Sequence, residues 1–348
     1  MLPWTIPDYD ATRAAQARTR QAALTKPPGS LGRLERCAER LAGAQANPLP
    51  RARPAAVLLF AADHPVTVHK VSAWPSSVTA AMVTNIVQGG AASSVLARHL
   101  NLPMGVFDVG VAEPYTVTPT PSGPTWERMS VGEAGDLRVE DAMTADVFAA
   151  AFAAGHRAVA TLDADTRVIV LGEMGIGNTT PASAIYAALL GGDPADWVGP
   201  GAGLQALETK VQVVRDALSR VGADAPALEV LRRLGGREIA ALAGAMVAGA
   251  ERRMVSLIDG FIVTAAALAV VRHEPKIRDF MVFAHCSEEP GHRRALEALN
   301  AEPLLELGLA LGEGSGALAA FSLLEQACTL HASMATFETA AVPGPEVP

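Results

Sequence analysis

The sequence predicts an α/β fold built on a doubly wound parallel sheet, with helices at both chain ends. Short, continuous apolar runs recur along the middle of the chain, each separated from the next by enough residues for a crossover helix. Polar residues and glycines cluster just after those runs, where the ligand crevice of such a sheet lies. Before and after this region the apolar residues switch to helical spacing.

In chain order, Asp10 caps a helix predicted over Ala11 to Leu24. A second helix starts near Ser30, with Leu31, Leu34, Cys37, Ala38 and Leu41 on one face, and Lys26-Pro27-Pro28-Gly29 is the break between the two. Val57 to Ala62 (VLLFAA) then reads as a buried parallel strand ending in Asp63-His64. Gly105 to Val111, Val168 to Leu171, Met254 to Ile258 and Phe280 to Ala284 repeat the pattern, followed or closed by Asp108, Gly172-Glu173, Asp259-Gly260 and His285. Residues 112–136, rich in Pro, Gly, Ser and Thr, predict a long surface excursion without regular structure. From Leu304 the chain turns helical again, over Leu318 to Met334, and the tail AAVPGPEVP is expected to be poorly ordered.

With 348 residues, half of them hydrophobic, the chain buries one large core plus a satellite or two medium cores. Its net charge of -8, without a basic run, argues against a nucleic-acid surface. The apolar stretches Phe261–Val271 and Ala240–Ala250 are about half of what a bilayer requires, so no membrane span is expected. Met1 to Asp10 carries no secretory pattern, which makes the cytoplasm the expected location. Cys37, Cys286 and Cys328 are far apart and form no ligand cluster, so they are expected as reduced thiols with no metal site.

The strongest local signal is the strand, glycine-rich turn and helix start from Arg167 to Ala184. Gly172, Gly175 and Gly177 let main-chain amides approach a ligand, and Thr180-Pro181 supplies a cap with proline at the first helical position. Its GxxGxG spacing is neither the dinucleotide fingerprint nor a Walker loop, so a single phosphate fits better; a turn with no ligand is the plain alternative. Gly199-Pro-Gly-Ala-Gly-Leu204 precedes Lys210, one of four lysines, which would serve a phosphate as a point charge or be an ordinary helix lysine. In Leu311-Gly-Glu-Gly-Ser-Gly-Ala-Leu318, burial would raise Glu313 toward the range of a general base, although a glutamate between glycines is also a common solvated turn. Glu173 and Glu313 facing one cleft would suit a displacement at a sugar carbon. His64 and His285, each at a strand end, are open between acid/base, ligand-binding and structural roles.

Taken in order, these motifs resemble the nicotinate-nucleotide:dimethylbenzimidazole phosphoribosyltransferases. The resemblance spans nearly the whole chain: Lys26 to Glu35, Ala62-Asp63-His64, Val78-Thr79, Gly172 to Pro181, Gly199 to Gly203, Lys210-Val211, Gly235-Gly236, Asp259-Gly260-Phe261, His285 with Ser287, and Leu311 to Ala317. It implies a Rossmann-like α/β domain over 46–299, a small helical domain formed by both chain ends (1–45 plus 300–340), a flexible tail over 341–348 and an active homodimer. It implies transfer of ribose 5-phosphate from nicotinate mononucleotide to 5,6-dimethylbenzimidazole or a similar base, with inversion and no cofactor. By the same resemblance Glu313 is the catalytic base and Glu173 the second acid at the sugar. Gly175, Gly177, Asn178, Thr179, Thr180, Gly201, Gly203, Lys210 and Ser287 fall on the phosphoribosyl site, and Asp63, His64, Trp74 and Met82 on the acceptor-base pocket. Pro65, Lys70, Trp74, Met82 and residues 132–136 depart from the family pattern, which keeps a purine or phenolic acceptor, or a non-catalytic nucleotide-binding protein, as alternative readings.

Overall fold

The structure, a computed structural model, describes residues 4–112, 114–199 and 207–344. Its centre is a six-stranded, wholly parallel sheet of β1 (Ala55–Ala62), β2 (Met104–Gly110), β3 (Thr125–Arg128), β4 (Val168–Met174), β5 (Val255–Ile258) and β6 (Met281–Phe283). A run that is apolar on both faces is stable only where helices cover both, and every residue of β1 and β5 is buried. The spatial order is β3-β2-β1-β4-β5-β6. The chain therefore winds outward from the centre in one direction and then in the other, and the reversal falls between β1 and β4. Crevices open at that point because the connections leave in opposite directions. The register, Ala55 opposite Val168 through Ala61 opposite Met174, brings the ends of β1 and β4 side by side there.

Each apolar run in the sequence is a strand, and β3 is the addition. It lies within residues 112–136, where no regular element was expected. Thr125-Trp126-Glu127-Arg128 has no apolar run because it is a largely exposed edge strand, paired only with β2. Only its backbone hydrogen bonds define it.

The flanking helices are α1 (Ala11–Ala23), α2 (Arg33–Ala44), α3 (Val78–Val87), α4 (Ala92–His99), α5 (Ala145–Ala160), α6 (Thr179–Leu190), α7 (Leu207–Ser219), α8 (Ala227–Leu234), α9 (Arg237–Glu251), α10 (Phe261–His273), α11 (His292–Ala298) and α12 (Ser315–Ser333). Asp10 accepts a hydrogen bond from Arg13 N at 2.9 Å, as expected of a cap. Helix α2 starts after Ser30 because Ser30 N and Gly32 N close turns onto the carbonyls of Pro27 and Gly29. Helix α6 starts at Thr179, with Asn178 at the cap, so Thr180 is already helical and Pro181 sits in the first turn, where its missing N–H costs nothing. The 78–99 segment is long and apolar enough to cross a membrane by length and composition. It forms two helices, α3 and α4, broken at Gly89-Gly90, whose inner residues Val83, Ile86 and Ala97 are buried in the fold.

Both chain ends meet: α1 and α12 pack against α2. Arg20 donates to the carbonyls of His331 and Ala332, and the buried Lys26 and Glu35 pair at 2.8 Å. Phe337 N bonds to Ala23 O, which ties the chain after α12 back to α1, and Val342 N closes onto Phe337 O.

Candidate active site

The site is assembled at the C-terminal ends of β4, β5 and β6. Glu173 is the penultimate residue of β4 and is buried. Asn178, at the cap of α6, donates its side-chain amide to Glu173 Oε2. Burial first, then the nearby carboxylates of Glu238 and Asp259, push the Glu173 carboxyl up to about 8 against the pull of Asn178. Glu173 thus holds its proton near neutrality until a positive charge is placed beside it.

Glu313 comes from the turn before α12. Gly312, Glu313 and Gly314 all take left-handed conformations, with φ of 84°, 61° and 75°. For Glu313, a non-glycine residue, this is strain of the kind that persists where the surrounding structure imposes it. The turn is pressed onto β4: a Cβ on Gly172 would lie 2.8 Å from the Glu313 backbone, and one on Gly312 would lie 2.5 Å from Glu173 Oε1. Side chains are excluded at both positions, which is how the two acidic segments come into contact. The buried Glu313 carboxylate accepts from Ser93 Oγ at 3.1 Å and Ser93 N at 3.5 Å, in the first turn of α4. Burial lifts the Glu313 pKa above the ordinary value, while the Ser93 hydrogen bonds hold it down.

Gly175, Gly177, Asn178 and Thr179 line one cleft together with Glu173, Lys210, Asp259, His285, Ser287 and residues 310–312. Gly175 is close-packed, since a Cβ there would lie 2.6 Å from Ala62 O. Thr79, at the start of α3, accepts from Ile176 N at 3.1 Å and fixes the same turn. Lys210 is almost wholly buried; its Nζ donates to Thr179 Oγ1 at 2.9 Å and Gly199 O at 3.0 Å, and burial lowers its pKa. A buried ammonium beside a helix start is suited to an oxyanion such as a phosphate.

Some expected residues lie elsewhere. Gly201 and Gly203 are outside the described residues. Thr180 is fully buried and does not line the cleft. Asp63 accepts from Ser76 Oγ and Ala112 N, and His64 pairs with the buried Glu238 at 2.7 Å. Both open onto a separate cavity shared with Asp108, Arg128 and Arg237, because β1 delivers them to the β2 side of the reversal point. His64 supports the cleft from behind, with its ring against Gly175. Trp74 is on the surface, 57% exposed, while Val71 and Ser72 of the same loop reach the cleft. Met82 is half-buried on α3 against the core.

Ser93, Glu238 and His292 were not singled out in the sequence. The one signal for Ser93 was its place after Gly89-Gly90 at a helix start. Among the described residues no cluster of His, Cys, Asp and Glu suited to a metal ion occurs.

A phosphoribosyltransferase family model matches residues 6–342. The nicotinate-nucleotide–dimethylbenzimidazole phosphoribosyltransferase of Azotobacter vinelandii is 50% identical over 337 residues, 96% of this chain and 95% of that protein. The protein of the same name from Pseudomonas aeruginosa strain UCBPP-PA14 is 48% identical over 348 residues, covering 98% of each chain. The crystal structure of the enzyme of that name from Thermus thermophilus superposes with a TM-score of 0.88 at 42% identity, over 97% of this chain and 100% of that one. The chain belongs to the nicotinate-nucleotide–dimethylbenzimidazole phosphoribosyltransferase family.

Proposed function

We propose that the protein transfers ribose 5-phosphate from nicotinate mononucleotide to 5,6-dimethylbenzimidazole, releasing nicotinate and the α-ribazole 5'-phosphate. The single observation that carries this reading is the contact of the Glu313 turn with β4, which sets a buried carboxylate one residue from Gly312, on the lining of a cleft that also holds a glycine-rich turn, a helix start and a buried lysine. The phosphate rests on the 175–179 turn with Lys210 as its counter-charge. One nitrogen of the acceptor attacks the anomeric carbon as the bond to the pyridinium nitrogen breaks, and that bond's electron pair neutralises the departing ring. Glu313 takes the proton from the acceptor's other nitrogen. Positive charge on the sugar favours ionised Glu173, which faces the same cleft. A single in-line displacement turns the β donor into an α product.

By the same reading the enzyme acts in the cytoplasm as a homodimer, without cofactor, and α1, α2 and α12 form a small helical domain. The test is to incubate the purified protein with nicotinate mononucleotide and a panel of benzimidazole, purine and phenolic acceptors, identifying products by mass and their anomeric configuration by NMR. The α-linked benzimidazole nucleotide is expected as the main product. A preferred purine or phenolic product would move the enzyme to another acceptor, and nicotinate mononucleotide bound but never consumed would make the protein a carrier.

A further inference from the structure

Behind the cleft, hydrogen bonds of the buried His292 end on Ser287, and their polarity is fixed at the Ser287 end. Tyr186 Oη lies 2.6 Å from the carbonyl of Phe261, which only accepts, so the phenol donates there. Thr264 Oγ1 lies 3.0 Å from Nε2 of His292. At the other end the main-chain N–H of Ser287 donates to His292 Nδ1 at 2.9 Å, which requires Nδ1 to be unprotonated. That selects the neutral tautomer with hydrogen on Nε2, which then donates to Thr264 Oγ1. Burial, followed by the neighbouring His285, pushes the pKa of His292 down to about 3, in agreement with a neutral ring. Tyr186, Thr264 and His292 are all fully buried.

The Ser287 hydroxyl oxygen lies 2.9 Å from the same Nδ1. Because that nitrogen carries no hydrogen, the contact is attractive only if the hydroxyl hydrogen points at it. With its hydrogen sharing the Nδ1 lone pair with the Ser287 N–H, the hydroxyl of Ser287, a residue of the cleft lining, leaves its oxygen lone pairs to accept from a ligand. A phosphate near neutrality has little to donate to it, whereas a sugar hydroxyl does.

We infer that His292 is a positioning residue that presents Ser287 Oγ as an acceptor for a ribose hydroxyl of the donor. This rests on the proposed phosphoribosyl donor and refines the role of Ser287 within that site. His292 does not line the cleft and acts only through Ser287.

The experiment compares His292→Asn with His292→Gln. The oxygen of Asn can stand where Nδ1 stands and accept from Ser287, while the amide of Gln reaches only the Nε2 position toward Thr264. His292→Gln is expected to raise KM for nicotinate mononucleotide by about 3- to 10-fold, and His292→Asn is expected to restore most of that loss. In a Ser287→Ala background, His292→Gln should add little. Ser287→Ala should also narrow the preference of the wild type for the ribosyl donor over its 2'-deoxy or 3'-deoxy analogue, whichever the wild type discriminates against. Equal KM values for the Gln variant and the wild type, additive effects with Ser287→Ala, or an unchanged ribosyl preference would overturn the inference, even if melting temperatures shift. A wild type that never consumes nicotinate mononucleotide would instead sink the underlying functional reading.

Discussion

Glu173, Lys210 and Glu313 share burial but differ in what burial does to them. Glu173 is surrounded by other carboxylates and keeps its proton, whereas Glu313 has Ser93 to stabilise its charged form. This has a consequence for stability. The native state holds the Glu173 proton up to about pH 8, while an unfolded glutamate releases it near 4.5. Between those values the unfolded chain binds fewer protons, so this group makes the protein less stable as pH rises. Glu173→Gln should therefore raise the unfolding free energy, measured by denaturant melts, more at pH 8 than at pH 5, with a difference on the order of a few kcal/mol; equal gains at both pH values would contradict a raised Glu173 pKa. Lys210→Met should raise KM for the phosphorylated donor by about tenfold or more, because a charge-assisted contact is lost. Lys210→Arg should not restore it, since the larger fork cannot occupy a buried site shaped around bonds to Thr179 and Gly199. Initial-rate kinetics with varied donor would decide both.

At the scale of elements, the site depends on how closely the 312–314 turn approaches β4. The glycine at 172 looks in the sequence like part of a phosphate loop, yet in the structure its missing side chain makes room for the Glu313 backbone. Gly172→Ala should cost about 1–3 kcal/mol through overpacking, and should lower kcat by moving Glu313. Unchanged denaturant stability together with unchanged kcat would show that the two segments are not in fixed contact. The glycine motifs were legible because glycine leaves a sequence mark wherever backbone must approach backbone. Ser93, Glu238 and His292 left no such mark, because their roles come from partners 220, 174 and 28 or fewer residues away in the chain, as in the bonds of Ser93 to Glu313, Glu238 to His64 and His292 to Thr264. Asp63 and His64 show the converse. Their position after a strand was read correctly, but which side of the reversal point they face depends on strand order, and apolar runs do not reveal strand order.

For the whole molecule, the doubly wound order places the cleft, and the segment before α12 supplies residues 310–312 to its lining. Continuous apolar runs made the buried strands legible, while β3 escaped because an exposed edge strand needs no apolar pattern. Helix α12 begins immediately after the Glu313 turn and rests on α2, so packing between the two ends of the chain bears on the position of the Glu313 carboxylate. Leu41 on α2 is fully buried. Leu41→Ala should destabilise the fold by about 2–5 kcal/mol, and near the growth temperature activity should fall in step with the folded fraction. Denaturant melts followed in parallel by far-ultraviolet circular dichroism and by activity would check this; loss of activity well before loss of structure would show that the helical ends loosen independently of the sheet.

The central claim is that the carboxylate of Glu313 removes the acceptor's proton. It is tested most directly by single-turnover release of nicotinate from donor-saturated Glu313→Gln in the presence of 5,6-dimethylbenzimidazole, with donor affinity measured on the same protein by calorimetry. The amide is nearly the same shape and cannot take the proton, so donor affinity close to wild type is expected together with a rate lower by about 10²- to 10⁴-fold. A wild-type rate in that variant would contradict the account.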